Sequence, residues 1–410
     1  MSRIHDAVIV GGGYAGVVAA NRLSTSPALT VTLVNPRPSF VERIRLHQRA
    51  TGSYDATVPY REVLAPSVRL IVDTVTRIVA DSSRLELASG VELHFDRLVY
   101  AVGSHAATPE VPGAAEHAIA LSTLEQSDDL RHRLESLPAG APLTVVGAGS
   151  TGIEVAAELA EQGHPVTLLA GGGLGPSLHP STRRTIARQF ERLGARVLSG
   201  PGARAVAVQA DRVQLADGRE LSSARTVWTA GFTVPDLARR SGLTTDASGR
   251  LVTDEALTSV DDDRIVAAGD CAAPSGRPYR MCCASAQPLG ALAAETVLLR
   301  VAGDAPRGRS LALPGQCLSL GRRAGVMQLA RRDDTSLRTH VGGRPGALIK
   351  EGITAGTLVG LRTMARRPGL IPAMKLLQDP RRAALLAAPG APASGSVAGS
   401  PVGDVTGLTD

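Results

Sequence analysis

Two copies of one short unit, a buried strand followed by a glycine-rich turn and a helix, restrict the possible folds of this chain more than any other feature. In the first copy the apolar run 7–10 leads into the loop 11–16, GGGYAG, and in the second the run 143–146 leads into the loop 147–152, GAGSTG. The helices are predicted at 17–23 and 153–161, and the strands that follow them at 29–34 and 166–169. One Gly-x-Gly-x-x-Gly motif is weak evidence, but two of them in the same setting, about 135 residues apart, predict two nucleotide-binding folds.

Each glycine position in these loops has a physical purpose. Gly11 permits the tight turn, Gly13 lets the backbone approach a pyrophosphate, and Gly16 allows the helix to pack closely on the strand. The free N–H groups and partial positive charge of the helix N-terminus would then face the phosphates. The same three positions in the second loop are Gly147, Gly149 and Gly152.

The segments around the two loops indicate how the domains are arranged. The buried-strand pattern 98–103 ends at a glycine, a Pro- and Ala-rich crossing follows at 104–113, and a matching return ends in the strand-like run 264–270. We therefore predict an α/β fold with two Rossmann-like dinucleotide-binding domains, the second inserted in the first, and a small α+β C-terminal domain. The predicted boundaries are 1–112 and 244–305 for the first domain, 113–243 for the second, 306–388 for the C-terminal domain, and 389–410 for a disordered tail rich in Pro, Gly, Ala and Ser.

Composition excludes several classes of function. The sequence has no run of about 18 apolar residues that could cross a membrane, and the strand-like run 7–10 leaves no room for a secretory signal of about 15–30 residues. We therefore expect a cytoplasmic protein. Only 2% of the residues are aromatic, and no basic helix carries recognition-type polar residues, so we expect no nucleic-acid partner.

Positive charge is concentrated in the last third of the chain. The formal net charge is +6, yet 16 basic minus 5 acidic residues between Arg300 and Arg382 give +11 for that segment alone. A basic C-terminal domain could face anionic phospholipid at the inner surface of the membrane, an acidic protein, a second copy in a homodimer, or solvent. Leucines beside arginines at 358–367, 376–377 and 381–386 favour reversible contact with a membrane.

The four cysteines point to no metal and no disulfide chemistry. Their spacing contains no Cys-x-x-Cys pair and no zinc-ligand pattern, and we interpret them as reduced thiols. They are Cys271, Cys282, Cys283 and Cys317. We find no convincing Ser-His-Asp arrangement either.

These motifs together resemble a known family. The two glycine loops, Ile153-Glu154 after the second, the run 100–103 (YAVG) and the run 267–272 (AAGDCA) are similar to those of two-dinucleotide-domain flavoproteins. Within them the likeness is greatest to type II NADH:quinone oxidoreductases and to apoptosis-inducing-factor-like (ferroptosis-suppressor) FAD-dependent oxidoreductases. The run 320–328 (LGRRAGVMQ) is similar to the C-terminal segment of the second group.

The resemblance implies an FAD site. The loop residues Gly11, Gly12, Gly13, Tyr14, Ala15 and Gly16 would hold the pyrophosphate, in a site lined by the strand ends at Gly103 and Gly269. Asp270 would accept a hydrogen bond from the ribityl chain or lie near the pyrophosphate, and it could also cap a helix. The backbone of Val75 would meet the adenine. His47, with Arg45 nearby, falls where the family places a side chain that contacts the flavin or a phosphate, and a surface or core role is an equal alternative.

The resemblance also implies residues near the reacting rings. Glu154 would lie near the nicotinamide, although a carboxylate in the first turn of a helix can also serve stability alone. Gln287 belongs to the run Ala286-Gln287, which opens the helix that points at the flavin ring in this family.

Two ribose positions depart from the family pattern, which has an acidic residue about 20 residues past each glycine loop. The first unit has Asn35, which can still bond a ribose hydroxyl, and the second has Ala170, which cannot repel a 2′-phosphate. We therefore expect the enzyme to accept NADPH in addition to NADH. A second glutamine typical of bacterial quinone reductases is replaced by Ala291, which weakens the quinone assignment.

The function implied is an FAD-dependent NAD(P)H dehydrogenase that passes electrons to a quinone-like or other small acceptor. The sequence lacks the paired cysteines of glutathione- and thioredoxin-reductase relatives, so the electrons would leave directly from the flavin. Two alternatives remain open. One is electron transfer to an iron–sulfur protein, as in ferredoxin reductases, and the other is a nucleotide-sensing flavoprotein that acts through a protein interaction.

Overall fold

The computed structural model describes residues 4–370 and 378–387. The first part of the chain forms β1 (His5–Val10), α1 (Tyr14–Leu23), β2 (Leu29–Asn35), β3 (Ser39–Val41), α2 (Leu46–Ala50), β4 (Thr57–Pro59), β5 (Arg69–Val72), β6 (Val75–Val79), β7 (Arg84–Leu87), β8 (Glu92–His94), β9 (Arg97–Tyr100) and β10 (His105–Ala106). The middle part forms α3 (Ala114–His117), β11 (Ala118–Ala120), α4 (Leu124–Glu135), β12 (Leu143–Val146), α5 (Ser150–Glu161), β13 (Val166–Ala170), α6 (Pro180–Arg192), β14 (Arg196–Ser199), β15 (Ala205–Val208), β16 (Arg212–Leu215), β17 (Glu220–Ser222), β18 (Arg225–Trp228), β19 (Phe232–Thr233) and α7 (Leu237–Arg240). The last part forms β20 (Leu251–Thr253), β21 (Ile265–Ala267), β22 (Ala272–Pro274), α8 (Cys283–Val301), β23 (Gly315–Ser319), β24 (Gly325–Ala330), β25 (Ser336–Gly342), α9 (Gly343–Arg366) and α10 (Arg382–Ala387).

Two parallel five-stranded sheets form the centre of the molecule. Their strand orders are β21-β9-β1-β2-β5 and β11-β18-β12-β13-β14, so each strand that precedes a glycine loop lies in the middle of its sheet. The last four residues of β1 and all four residues of β12 are buried, because both faces of a parallel sheet are covered. Each sheet is accompanied by a three-stranded antiparallel sheet, β6-β7-β8 in one case and β15-β16-β17 in the other. The predicted α/β fold with two Rossmann-like units is confirmed.

The first sheet is assembled from distant parts of the chain. Strand β21 pairs with β9 in parallel, and all strands of the second sheet lie between these two along the sequence. This arrangement agrees with an inserted second domain, whose boundaries remain predictions. The predicted tail at 389–410 and the leucines at 376–377 lie outside the described residues.

The C-terminal unit consists of an antiparallel sheet, β23-β24-β25, and the long helix α9. On one side of α9, Leu358, Leu361 and Met364 recur at intervals of three residues and join the apolar core that contains α1 and α8. The N-terminal half of α9 packs on the antiparallel sheet, where Gly346 lies against the backbone of Gly325. Among the helices of residues 4–370 and 378–387, none combines the length and the apolar character needed to cross a membrane.

Candidate active site

The first glycine loop joins β1 to α1 and has the shape that its sequence predicts. Gly11 adopts a φ of 104°, and a Cβ there would collide with the carbonyl oxygen of Ala101. A Cβ on Gly13 would meet nothing within 4 Å, so the loop leaves open space on its outer side. No side chain caps the first turn of α1, and this turn contains no acidic residue. Its N–H groups are therefore available to an anion.

The second loop repeats this geometry between β12 and α5. Gly147 has the same φ of 104°, a Cβ on Gly149 would meet nothing within 4 Å, and Gly152 lies against the carbonyl of Gly147. The N-terminus of α5 is likewise free of a side-chain cap. The structure thus contains two glycine loops of matching geometry, each with room for a phosphate group on its outer side.

Asn35 and Tyr60 hold the first loop in place. The Asn35 carboxamide oxygen accepts a hydrogen bond from the Gly12 N–H at 2.9 Å, and the Tyr60 hydroxyl donates to the Gly12 carbonyl at 2.7 Å. Asn35 is thus a loop-positioning residue in this structure, and its contact with a ribose stays a prediction. Tyr60 was not recognised from the sequence.

The second loop is held by a different side chain, because the Thr229 hydroxyl donates a hydrogen bond to the Gly147 carbonyl at 3.0 Å. The N–H of each loop's first glycine donates to a strand carbonyl, that of Val34 in one unit and that of Leu169 in the other, so Ala170 occupies the place of Asn35. Ala170 is buried, and the backbone of Arg204 lies close to the neighbouring Gly171. An exposed arginine therefore lies beside the predicted ribose position.

Asp270 belongs to a polar group at the carboxyl edge of the first sheet. Its carboxylate accepts a hydrogen bond from the Ser104 hydroxyl at 2.6 Å, and the Arg43 guanidinium lies 3.6 Å away. Arg43 also donates to Ser104 at 3.2 Å. Gly103 precedes Ser104 and Gly269 precedes Asp270, so the two predicted strand ends do converge here. Arg43 and Ser104 were missed, although Ser104 directly follows a predicted strand end, the usual place for ligand contacts in such sheets.

Tyr14 carries a buried hydroxyl group that lacks a hydrogen-bond partner in the described part of the chain. Its ring packs edge-on against Phe40 with 5.1 Å between the centroids. Buried polar atoms normally find a partner, so this hydroxyl is an unsatisfied polar group next to the first loop.

Glu154 lies in a buried ion pair that joins the second nucleotide fold to the C-terminal helix. The Lys350 ammonium lies 3.1 Å from the Glu154 carboxylate, and the Ser319 N–H donates to the same oxygen at 2.9 Å. Burial alone would raise the pKa of Glu154, but Lys350, His47 and the Ser319 N–H outweigh it and hold this pKa below its usual value. Burial alone would lower the pKa of Lys350, but the attraction of Glu154 keeps it above its usual value. Both members of the pair are therefore charged.

Lys350 and Ser319 were not recognised from the sequence. Each is a single residue more than 150 positions from Glu154 along the chain, with no motif around it. One signal was available, because Lys350 and Lys375 are the two lysines among 44 basic residues. A lysine in a chain that otherwise uses arginine indicates a compact point charge at that position.

His47 lies beside this pair, between two carboxylates of α5. Its Nδ1 is 3.7 Å from Glu154, its Nε2 is 3.6 Å from Glu158, and the Ser319 hydroxyl lies 3.2 Å from Nε2. Burial lowers the pKa of His47 to about 4, against the opposing attraction of Glu154, so its ring is neutral at pH 7. Glu158, whose pKa is raised by burial, also accepts a hydrogen bond from Ser53.

Arg45 is almost completely buried, and its partners are protein groups. Its guanidinium forms hydrogen bonds with Gln48 and Glu351, lies near Glu42, and stacks 4.2 Å from the centre of the Tyr54 ring. The predicted contacts of His47 and Arg45 with the cofactor remain predictions, since the contacts seen here are with the protein.

The other predicted residues, Gln287 and Val75, lie on α8 and β6. Gln287 is half-buried on α8, which begins at Cys283, so the prediction that Ala286-Gln287 opens this helix was three residues late. Val75 is buried at the start of β6, in a core cluster with Val10 and Val34. The four cysteines are free thiols, and burial raises the pKa of Cys283 to about 12, so this thiol stays neutral. In residues 4–370 and 378–387 no group of three or more His, Cys, Asp or Glu is arranged to hold a metal ion.

Comparison with known proteins agrees with this geometry. A family model described as pyridine nucleotide-disulphide oxidoreductase matches residues 5–288. A NADH dehydrogenase-like protein of Mycobacterium tuberculosis is 32% identical over 293 residues, which are 65% of this chain and 72% of that protein. A demethylphylloquinone reductase of Synechocystis is 28% identical over 287 residues, 64% of this chain and 70% of that protein.

The structure is similar to that of NDH2 from Plasmodium falciparum in complex with NADH. The TM-score is 0.74 at 16% identity, over 91% of this chain and 100% of that one, a likeness that concerns the fold. The resemblance drawn from the glycine motifs is confirmed, as is the prediction of an oxidoreductase. Because the family model matches more than half of its residues, the chain belongs to the pyridine nucleotide-disulphide oxidoreductase family.

Proposed function

We propose that the protein is an FAD-dependent dehydrogenase that oxidises NADH and passes the electrons directly to a quinone-like small acceptor. The observation that carries this proposal is the buried Glu154–Lys350 ion pair. Glu154 lies on the helix of the second glycine loop, and Lys350 lies on α9, which packs on the helix of the first loop. We infer that the pair lies near the place where the reacting rings of two dinucleotides would meet, because it joins α5 of the second fold to a helix whose C-terminal half packs on α1 of the first.

The residues around the first loop fit FAD. The open side of Gly13, the uncapped N-terminus of α1 and the nearby Arg43 suit a pyrophosphate, and the Tyr14 hydroxyl offers a hydrogen bond not used by the described protein groups. Asp270, held by Ser104, offers a carboxylate to a sugar or ribityl hydroxyl. FAD, when bound, would accept a hydride from the nicotinamide and release electrons to the second substrate. The chain itself orients the two nucleotides and keeps charged groups beside them.

The nature of the acceptor is inferred from the cysteines and from the relatives. The four cysteines are free thiols, and the sequence contains no Cys-x-x-Cys motif of the kind that relays electrons as a dithiol. A small organic acceptor that approaches the ring directly suits such a site. The relative from Synechocystis is named for the reduction of a quinone. NADH as the donor is inferred from the relatives named NADH dehydrogenase-like.

An anaerobic titration tests this function. NADH should bleach the flavin at about one equivalent per FAD, and a soluble quinone should restore the colour within the time of one turnover. Reoxidation by an added iron–sulfur protein, with no response to quinones, would favour a ferredoxin-type reductase. A long-lived reduced complex that no acceptor reoxidises would favour a nucleotide sensor.

We also propose that α9 rests on an anionic membrane surface and thereby gives the site access to a lipid-soluble acceptor. On its outer side α9 exposes Leu348 (75% exposed), Ile349, Ile353 and Val359 (59% exposed). Exposed Arg344 lies at the start of the helix, and Arg366 and Arg367 lie at its end. These three arginines make no ion pair within residues 4–370 and 378–387. Each basic residue near an anionic surface contributes about 1 kcal/mol, and the buried apolar side chains add to this.

The position of Lys350 supports the proposal that α9 rests on a membrane surface. Lys350 faces inward from the same turns of α9 that expose Leu348 and Ile349, so a quinone in the lipid would be close to the site. The segment around Arg381 and Arg382 is not part of the surface. Arg381 pairs with Asp333, and buried Arg382 pairs with Glu255, which corrects the expectation that this segment faces the membrane.

Co-sedimentation with vesicles tests the α9 surface. The wild type should bind phosphatidylglycerol vesicles at low salt and be released at high salt, since exposed charges are screened. Replacing Leu348, Ile353 and Val359 together by serine should reduce binding at least about tenfold, which corresponds to about 1.4 kcal/mol. Val260→Ser, at an exposed valine elsewhere, is the matched control. Failure of the wild type to bind at low salt would overturn the proposal.

A further inference from the structure

A chain of buried polar side chains leads from the surface of the protein to the Glu154–Lys350 pair. Ser53 is exposed and donates a hydrogen bond to Glu158, whose other carboxylate oxygen has no hydrogen-bond partner within residues 4–370 and 378–387. That oxygen faces the His47 ring at 3.6 Å, and the opposite nitrogen of the ring faces Glu154 at 3.7 Å. Lys350 follows at 3.1 Å.

The chemistry of this chain suits the movement of a proton. An imidazole can take up a proton on one nitrogen and release one from the other, and the two nitrogens of His47 lie near different carboxylates. The Ser319 hydroxyl, 3.2 Å from Nε2, also bonds to Glu154 and gives this nitrogen a second connection to the pair. Glu158 is a buried carboxylate, and no lysine or arginine of residues 4–370 and 378–387 forms an ion pair with it, an arrangement that is costly unless the group can carry a proton. The gaps of 3.6 and 3.7 Å are longer than hydrogen bonds, as is common in catalytic groups before the substrate is bound.

The charges that face His47 also suit this role. Glu154 and Glu158 approach it from α5, Lys350 from α9, Arg322 from the turn between β23 and β24, and Arg45 from the turn before α2. The positive groups and burial keep the ring neutral, while the carboxylates attract a proton to it. The ring can therefore pass on a proton without holding it for long.

We infer that Ser53, Glu158 and His47 form a path that delivers a proton from solvent to the Glu154–Lys350 pair during reduction of the acceptor. The inference rests on the proposed quinone reductase function. In NADH + H⁺ + quinone → NAD⁺ + quinol, the hydride supplies two electrons and one proton, and the second proton must come from solvent. In this scheme Lys350 donates the second proton to the acceptor. A proton that enters at Ser53 then replaces the one that Lys350 has lost. Glu158 and His47 are positioning and proton-carrying residues on this path and need no contact with the substrates.

The half-reactions separate this role from a structural one, because transfer of hydride from NADH needs no solvent proton and reduction of the quinone needs one. With Glu158→Gln, anaerobic bleaching by NADH should change by less than about twofold, while reoxidation by quinone should slow at least about tenfold. His47→Gln should show the same split, and Ser53→Ala a smaller one. Glu42→Gln is the matched control, because Glu42 is equally buried and bonds to Tyr54 away from His47.

A second readout does not depend on turnover. The infrared spectrum of the resting enzyme should contain a band from a protonated carboxyl group that shifts in D₂O, is lost in Glu158→Gln and persists in Glu42→Gln. Reoxidation of Glu158→Gln by quinone at the wild-type rate, or persistence of the band in that variant, would overturn the proton path alone. If NADH bleaches the wild type and no quinone reoxidises it, the proposed function fails and the path fails with it.

Discussion

The buried imidazole of His47 links the folding of this protein to pH. Burial lowers its pKa from 6.5 to about 4, so between these values the unfolded chain holds a proton that the folded chain lacks. The contribution of this residue to stability is therefore complete above pH 6.5 and is lost as the pH falls towards 4. The free energy of unfolding should fall by up to about 1.4 kcal/mol per pH unit in that window, or about 2 kcal/mol between pH 7 and pH 5.

Urea unfolding of the wild type and of His47→Gln at pH 7 and pH 5 measures this effect. Between the two pH values the wild type should lose about 2 kcal/mol more than the variant. Glu158, whose pKa is raised by burial, acts in the opposite direction, but it is present in both proteins and cancels in the difference. Equal losses in the two proteins would show that His47 is charged in the folded state.

Single residues of the site could be predicted from the sequence where a motif surrounds them. Asp270 follows a strand end and Glu154 follows a glycine loop, and both lie at the predicted edges of their sheets. Lys350, Ser319 and Glu158 have no such setting, and they reach the site only because α9, the end of β23 and the inner face of α5 pack together. Such packing depends on the shapes of three units at once, and a local pattern does not contain that information.

At the scale of helices and strands, the close contact of α1 with α8 supports the first glycine loop. A Cβ on Gly290 of α8 would collide with the carbonyl of Ala15 on α1. Gly290→Ala should therefore push the helices apart, lower the free energy of unfolding by about 1–3 kcal/mol and reduce the flavin content. The same change at Gly352, on the exposed side of α9 with nothing within 4 Å, should instead stabilise by up to about 1 kcal/mol. Thermal unfolding and the flavin absorbance of the two variants decide the matter, and equal effects would contradict the argument.

Most elements of the nucleotide folds could be predicted because their patterns are local. The predicted helix 17–23 is α1 without its first turn, and the predicted strands 29–34 and 166–169 each end one residue before β2 and β13 do. The first turns of α1 and α5 were not predicted as helical, because their residues belong to the glycine motifs and were assigned to the loops. In the structure these residues form the end of the loop and the first turn of the helix together. The long helix α9 was not predicted as a whole, because its five glycines and one proline up to residue 360 weaken the helical pattern.

At the scale of the whole molecule, we expect the second nucleotide fold to determine the choice of donor. Ala170 supplies no carboxylate, and exposed Arg204 lies beside the predicted ribose position. We expect NADPH to be used within about tenfold of NADH, a difference of about 1.4 kcal/mol. Arg204→Gln should lower kcat/KM for NADPH about tenfold and leave the value for NADH nearly unchanged.

Arg188→Gln, at an exposed arginine of the same domain on α6, should alter neither donor. Steady-state kinetics with both nucleotides measures the ratio. A thousandfold preference of the wild type for NADH would mean that another residue rejects the 2′-phosphate. We prefer Arg204 as the target because Ala170 is buried, and a glutamate there would disturb the core.

The ion pair between Glu154 and Lys350 has a consequence for the order of events during synthesis on the ribosome. Both nucleotide folds are complete by residue 301, long before α9 leaves the exit tunnel. Until then Glu154 has neither the Lys350 ammonium nor the packing of α9 around it. A nascent chain arrested before α9 should therefore hold its second fold loosely, and the arrival of Lys350 would act as the last step that makes the nucleotide site rigid.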